Sequence, residues 1–277
     1  MRTYNNGAGQ GFRIMCRWAA YIGAPIFLED IVSRPKHSLV QQSQAATRCP
    51  TATNADGFGI AWYGERAEPG LYRDTYPAWS DPNLRSLTAQ VRSPLFLAHV
   101  RASTGTATSR NNCHPFSVGN WCFMHNGQVG GYDRFRRDAD MMIPEALYPH
   151  RRGATDSEAL FLVALAEGLQ DDPRGALLRA VARFDALSRA RGEGPHIRLT
   201  CALSDGRRLF AARYASDGAA PTLFHRWSGT RGGRAVVSEP LDLAEDGWQE
   251  VPEASFCTFE GDHVTVEPFA PSLRAAA

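Results

Sequence analysis

Apolar and polar positions along the chain fall into blocks that predict strands, then helices, then strands again. Residues 16–23 (CRWAAYIG) predict a strand, followed by a polar stretch carrying Pro35 and Pro50. A second strand is predicted at residues 58–63 (FGIAWY), directly after Asp56-Gly57. Residues 95–100 (LFLAHV) form a continuous apolar run entering polar residues, the pattern of a strand buried on both faces. Residues 121–124 predict another strand, stopping at the turn signal Asn126-Gly127. Thr155-Asp156-Ser157-Glu158 fits a capping box, with Thr155 as N-cap and Glu158 reaching back to it. The helix that follows is apolar on every side over residues 159–165, which predicts burial between layers. Residues 174–189 predict an amphipathic helix with Leu177, Val181, Phe184 and Leu187 on one stripe and its arginines in water. Strands return at residues 197–203, 208–214, 222–227, 234–237 and 255–259, with a hairpin turn at residues 204–207. No linker-like shift or repeat interrupts this order, so the expectation is one α+β domain with helices covering packed sheets.

Composition narrows the function classes. The 277 residues carry a formal net charge of +1, so no overall field draws the chain to nucleic acid or to an acidic membrane. Lys36 is the only lysine, which removes Walker-type phosphate loops and argues against Schiff-base chemistry. Six cysteines stand at 16, 49, 113, 122, 201 and 257 without a C-x-x-C pair, the usage expected of reduced thiols in the cytoplasm. No signal-type apolar segment follows Met1, and no run of 18 apolar residues occurs. The glycines at 7, 9 and 11 follow no strand and read as a tail rather than a phosphate loop.

Candidate chemistry sits where the predicted strands end and helices begin. Cys16 follows Met15 directly. If residues 1–15 were an extension, removed or outside the true start, Cys16 would lead a single domain of residues 16–277 with a free α-amine beside its thiol. A thiol of pKa roughly 8.5 beside an amine of about 7.7–8.0 holds nucleophile and general base in one residue. The alternative is a buried structural cysteine. Arg101 presents a guanidinium fork able to hold a carboxylate bidentately, or is one surface arginine among many. Asn126 and Gly127 can supply a side-chain amide and a backbone N–H to one oxyanion, or form a hairpin turn. Asp156 favours a helix dipole at the first turn whatever else it does. Cys113, His114, Cys122 and His125 have ligand chemistry for zinc, but alternation along a strand would point Cys122 and His125 to opposite faces, so no metal is expected. His114-Pro115-Phe116 reads as a rigid turn supporting the strand of Asn126.

Taken together, Met15-Cys16-Arg17, "TNADGFGIAWYG", "LAHVRAST", "NCHPF", "FMHNGQ" and "TDSEALF" resemble the glutamine-hydrolysing domain of class II glutamine amidotransferases, of the N-terminal-nucleophile hydrolases. The resemblance runs from Met15 to about Leu165 and continues more weakly beyond. It implies a four-layer αββα sandwich, Cys16 as nucleophile, Asn126 and Gly127 as oxyanion hole, and Arg101 on the substrate α-carboxylate with Thr104 nearby. It also implies that Asp156 takes the α-ammonium group, and that no cofactor is needed. Larger members have tryptophan and histidine where this chain has Ala102 and Gly105, so a less tightly closed pocket is expected. Residues after Leu165 read as completion of the same sandwich, leaving no second synthase domain of usual size. Any ammonia acceptor is then a separate synthase subunit, or absent. Similar short members act as γ-glutamyl amide hydrolases, in ergothioneine synthesis or in glutathione breakdown with a peptidase partner. The expected substrate is therefore glutamine or another small γ-glutamyl compound.

Overall fold

The computed structural model describes residues 16–44, 54–102, 106–242 and 247–271. In chain order the strands that build the site are β1 (Arg17–Phe27), β2 (Phe58–Tyr63), β3 (Gly70–Asp74), β4 (Arg92–Val100), β5 (Phe116–Val118) and β6 (Trp121–Val129). They are followed by β7 (Ile197–Ser204), β8 (Leu209–Ala215), β9 (Phe224–Ser228), β10 (Gly233–Val237), β11 (Gln249–Glu250), β12 (Ser255–Glu260) and β13 (His263–Pro268). The helices are α1 (Glu29–Val32), α2 (Leu39–Gln44), α3 (Pro82–Gln90), α4 (Tyr132–Asp140), α5 (Asp156–Ala166) and α6 (Pro173–Arg191). One sheet has the order β11-β9-β10-β1-β4-β2-β3 and the other β13-β12-β8-β7-β6-β5, with every pairing antiparallel.

Three apolar cores separate four layers. Trp18, Ala20, Leu95, Leu97 and Ala61 of the first sheet meet Cys122, Met124, Ala202 and Phe259 of the second in the middle core. The alternate residues Ala19, Tyr21, Phe96 and Ile60 face α1 to α3. On the far side Phe123, Leu199, Leu203 and Phe210 pack under α4 to α6. Both central faces of β1 and β4 are therefore buried, which is why residues 95–100 read as an unbroken apolar run. The αββα layering follows from two sheets that each have two apolar faces: they must cover one another and then be covered by helices.

Local sequence explains most elements and misplaces a few. α5 is buried over residues 157–164, as its all-round apolar composition requires, and Phe161 stacks on Phe123 of β6 with centroids 5.4 Å apart. Thr155 caps it, its hydroxyl accepting from the Glu158 N–H at 3.2 Å. Glu158 does not complete the box. Its carboxylate instead accepts from the N–H groups of Arg152 (3.2 Å) and Gly153 (2.7 Å) and from Arg151 (2.9 Å), because a buried carboxylate gains more from a guanidinium than from one amide. The stripe of α6 is buried at Leu177, Val181 and Phe184 and half-buried at Leu187, and the predicted hairpin turn lies one residue later than read, with residues 205–208 joining β7 to β8. The polar stretch after β1 contains α1 and α2, and α3 and α4 were also missed; all four are short.

The larger correction concerns Asn126-Gly127. The strand does not stop there: β6 runs on to Val129, with Asn126 opposite Thr200 and Gly127 opposite Leu199 of β7. Gly127 has φ of +151°, and a Cβ added to it would lie 1.8 Å from the Arg198 carbonyl oxygen. Glycine is required by the close approach of two strands, not by reversal of the chain. The reversal comes later, at Gly130-Gly131, where α4 begins.

Candidate active site

Strand order alone assembles half of the site. Cys16 immediately precedes β1, and Arg101 immediately follows β4; the two strands are antiparallel neighbours with Arg17 opposite Val100. Cys16 and Ala102, 86 apart in sequence, thus meet at one sheet end. The Cys16 Sγ lies 3.5 Å from the Ala102 carbonyl and accepts from the Ala102 N–H at 3.4 Å. Burial pushes the thiol above its ordinary pKa; the Ala102 N–H and the charges of Arg101 and Arg17 pull the other way without overcoming it. Such a thiol keeps its proton near neutrality and needs a base to react.

Arg101 is not a surface arginine: it is 3% exposed. Its backbone pairs with the Asp56-Gly57 segment, donating to the Gly57 carbonyl (2.8 Å) and accepting from the Asp56 N–H (3.1 Å). Its Nη1 donates to the Asp56 carbonyl (3.2 Å) and its Nη2 to the Thr106 hydroxyl (2.6 Å). Phe58 of β2 pairs with Val100, so the Asp56-Gly57 segment enters at the same sheet end and fixes the guanidinium.

The other half comes from β6 and α5. Alternation along β6 turns Cys122, Met124 and Asn126 toward the sheet that carries Cys16, while Phe123 and His125 face the helices. The opposite orientation of Cys122 and His125 is as read, and among the described residues no group of three or more His, Cys, Asp and Glu side chains is arranged to hold a metal ion. Asp156 opens α5, and its Oδ2 accepts from the Val129 N–H at the end of β6 (2.8 Å). Its Oδ1 accepts from the Ser157 N–H (2.7 Å), and the Ser157 hydroxyl lies 3.1 Å from the same oxygen. The two halves adjoin where β4 and β6 meet, with His99, two residues before Arg101, close enough to His125 to feel its charge. His99 and His114 lie with ring centroids 4.3 Å apart and tilted by 35°, and Phe116 of β5, cis-Pro115 before it, pairs with Phe123, so residues 114–116 do buttress β6. Thr104 and residues 1–15 lie outside the described residues.

Two parts of the site were missed by sequence reading. Arg17, buried, donates from Nη1 to the Cys16 carbonyl (3.2 Å) and from Nε to Glu239 (2.9 Å), which also holds His37 (2.9 Å). Glu239 is 222 residues from Arg17, and no local pattern marks the pair. The second is the contact of His125 with Ser157, Nδ1 to Oγ at 2.9 Å. Its signal was present, since both residues lie inside the quoted motifs, but only β6–α5 packing joins them.

The family model for class II glutamine amidotransferases matches residues 36–220. The chain belongs to the class II glutamine amidotransferase family. Cys16 lies outside that matched span. A Saccharomyces cerevisiae protein described as probable glutamine amidotransferase DUG3 is 32% identical, over 92% of this chain and 84% of its own length. The γ-glutamyl-hercynylcysteine sulfoxide hydrolase of Mycolicibacterium smegmatis is 30% identical, over 92% of this chain and its whole length. Among solved structures, a glutamine aminotransferase class-II domain protein from Silicibacter pomeroyi superposes with a TM-score of 0.76 at 50% identity, covering 93% of this chain and all of that one. The PRPP amidotransferase of B. subtilis superposes with a TM-score of 0.63 at 14% identity, covering 92% of this amidotransferase and 49% of itself, a likeness of fold alone. The sandwich is of the N-terminal-nucleophile hydrolase type, and this member of the family is an amidohydrolase enzyme. Among the described residues no helix is long and apolar enough to cross a membrane.

Proposed function

We propose that this amidotransferase-family protein hydrolyses the side-chain amide of a γ-glutamyl substrate through a thioester at Cys16. The observation that carries the reading is the meeting of Cys16 and Arg101 at one sheet end, beside the strand of Asn126 and Gly127. With residues 1–15 removed, the α-amine of Cys16 takes the thiol proton, supplying the base that a thiol of raised pKa requires. The thiolate attacks the amide carbonyl carbon, and the displaced electron pair collects on oxygen, opposite the Asn126 amide and the Gly127 N–H. Collapse breaks the C–N bond, the α-ammonium returns its proton to the leaving nitrogen, and water cleaves the thioester to a γ-carboxylate. Arg101 holds the substrate α-carboxylate, Thr104 lies near it, and Asp156 holds the α-ammonium, so opposite charges fix the carbonyl against sulfur.

A γ-glutamyl peptide or thiol metabolite in place of glutamine is favoured by the relative that hydrolyses a γ-glutamyl-hercynylcysteine sulfoxide along its whole length of match. Release to a separate synthase or peptidase subunit belongs to the same proposal. The test is protein beginning at Cys16, incubated with glutamine, glutathione and γ-glutamyl dipeptides while glutamate is measured. Glutamate from one of them, absent in Cys16→Ala, is expected. Release from none sinks the reading, and full activity in protein whose intact mass retains residues 1–15 excludes the α-amine as base.

A further inference from the structure

His125, Ser157 and Asp156 form a run of contacts that ends on an acceptor at both sides. His125 Nε2 lies 3.2 Å from the Arg198 carbonyl oxygen, His125 Nδ1 lies 2.9 Å from Ser157 Oγ, and Ser157 Oγ lies 3.1 Å from Asp156 Oδ1. A peptide carbonyl and a carboxylate only accept. Three hydrogen bonds between them need three hydrogens, and Ser157 with a neutral imidazole supplies two. Without a third, one contact sets lone pair against lone pair. With it, the imidazole donates to Arg198 and to Ser157, and Ser157 donates to Asp156. His125 and Ser157 are buried, so water does not readily fill the missing place.

We propose that His125 is a positioning residue that shares one proton with Asp156 through Ser157, so that this proton competes with the α-ammonium group of the substrate. The inference rests on the assignment of Asp156 to that ammonium. The groups facing His125 are Asp156 and Ser157 from α5, the Arg198 carbonyl from β7, His99 from β4 and His114 from the segment before β5. Burial is the larger effect and holds the imidazole below its ordinary pKa, while the Asp156 charge and the Arg198 carbonyl act the other way and favour the imidazolium. His99 and His114 are held neutral by burial and add no fixed charge. An ammonium brought to Asp156 replaces the imidazolium as its counter-charge, and the shared proton leaves. The same imidazole joins the Asn126-Gly127 strand to the Asp156 helix, so the two halves of substrate recognition move as one piece.

One proton displaced per substrate bound makes KM fall by up to tenfold per pH unit rise across the titration. The experiment measures KM between pH 5 and 9 for the γ-glutamyl compound that the wild type turns over, and for the same compound without its α-amino group. The wild type should show the acid limb in KM only with the amino compound. His125→Gln should flatten it, because an amide cannot take up the proton: its N–H donates to Arg198 and its oxygen accepts from Ser157, which then no longer donates to Asp156. Ser157→Ala, which breaks the run at its other joint, should flatten it too and covers the case of a misfolded glutamine variant. A purely structural histidine would lower kcat or Tm and leave the limb in place. An unchanged limb in either folded variant overturns the inference while leaving the proposed hydrolysis intact. A wild type that cleaves no γ-glutamyl compound refutes the hydrolysis instead. Calorimetry with L-glutamate in two buffers of different ionisation enthalpy then decides the proton: release supports the shared proton, and its absence overturns it.

Discussion

Replacing Gly127 by alanine asks whether this glycine serves a turn or a close contact between strands. The new Cβ would lie 1.8 Å from the Arg198 oxygen, 2.7 Å from the Arg198 carbonyl carbon and 2.7 Å from His125 Nε2. Two of these atoms belong to the paired strand β7, and the third is fixed by Ser157, so no flexible side chain can give way. Methyl and oxygen would have to separate by roughly 1 Å more to reach the shortest contacts seen in real proteins. Forcing such a group into a packed site costs about 1–3 kcal/mol. The backbone at φ of +151° adds about 1–2 kcal/mol for a residue with a Cβ. The sum, about 2–5 kcal/mol, lowers Tm by roughly 4–20 °C in a chain of this size. Differential scanning calorimetry reads it directly. Gly168→Ala is the control: its φ is +96° but nothing lies within 4 Å of the added methyl, so it carries only the conformational part. A Gly127→Ala protein melting no lower than the Gly168→Ala protein refutes the close-contact account. In the folded variant, displacement of the 127 N–H should also cut kcat by about 100-fold.

Other outcomes follow from the same structure. Arg151→Met removes the guanidinium that holds Asp140, Glu158 and the Tyr132 hydroxyl and leaves the Glu158 carboxylate buried, so urea denaturation should show a loss of about 3–5 kcal/mol. Adding Glu158→Leu to it should recover part of that loss. His99 is pushed down to about 3 and His114 well below its usual range by burial, so both bind protons more readily in the unfolded chain. Their contribution is complete above pH 6.5 and falls as pH drops below it, for His99 down to about 3, by up to about 1.4 kcal/mol per unit for each group; urea midpoints from pH 7 to 4 check it, and His99→Phe should flatten the slope. Arg101→Lys keeps the charge but loses the fork between the Asp56 carbonyl and the Thr106 hydroxyl, so kcat/KM should fall about 10- to 100-fold, and an unaltered value would remove Arg101 from the site.

How far the sequence reaches depends on the range of the interaction that decides each feature. The apolar run at residues 95–100, the all-round apolar helix after Thr155 and the stripe of Leu177, Val181, Phe184 and Leu187 record burial within a few residues, and each is buried as read except at Leu165 and Leu187, which are half-buried. Period and composition therefore determined the α+β class, and the short motifs determined the family. Asn126-Gly127 shows the limit: the same dipeptide suits a two-residue turn and a crowded strand, and only the Arg198 oxygen across the sheet separates them. Glu158 shows it again, since a capping box is a local pattern and Arg151 with its own partners is a tertiary one. Cys16 was marked in the sequence by its chemistry and by the Met15-Cys16-Arg17 motif. Its neighbours Ala102, Arg101 and the Arg17–Glu239 pair come from antiparallel pairing and from residues as far as 222 positions apart. Local propensity is set by nearest neighbours along the chain, whereas a site at a sheet end is set by register, and register exists only once the layers have packed.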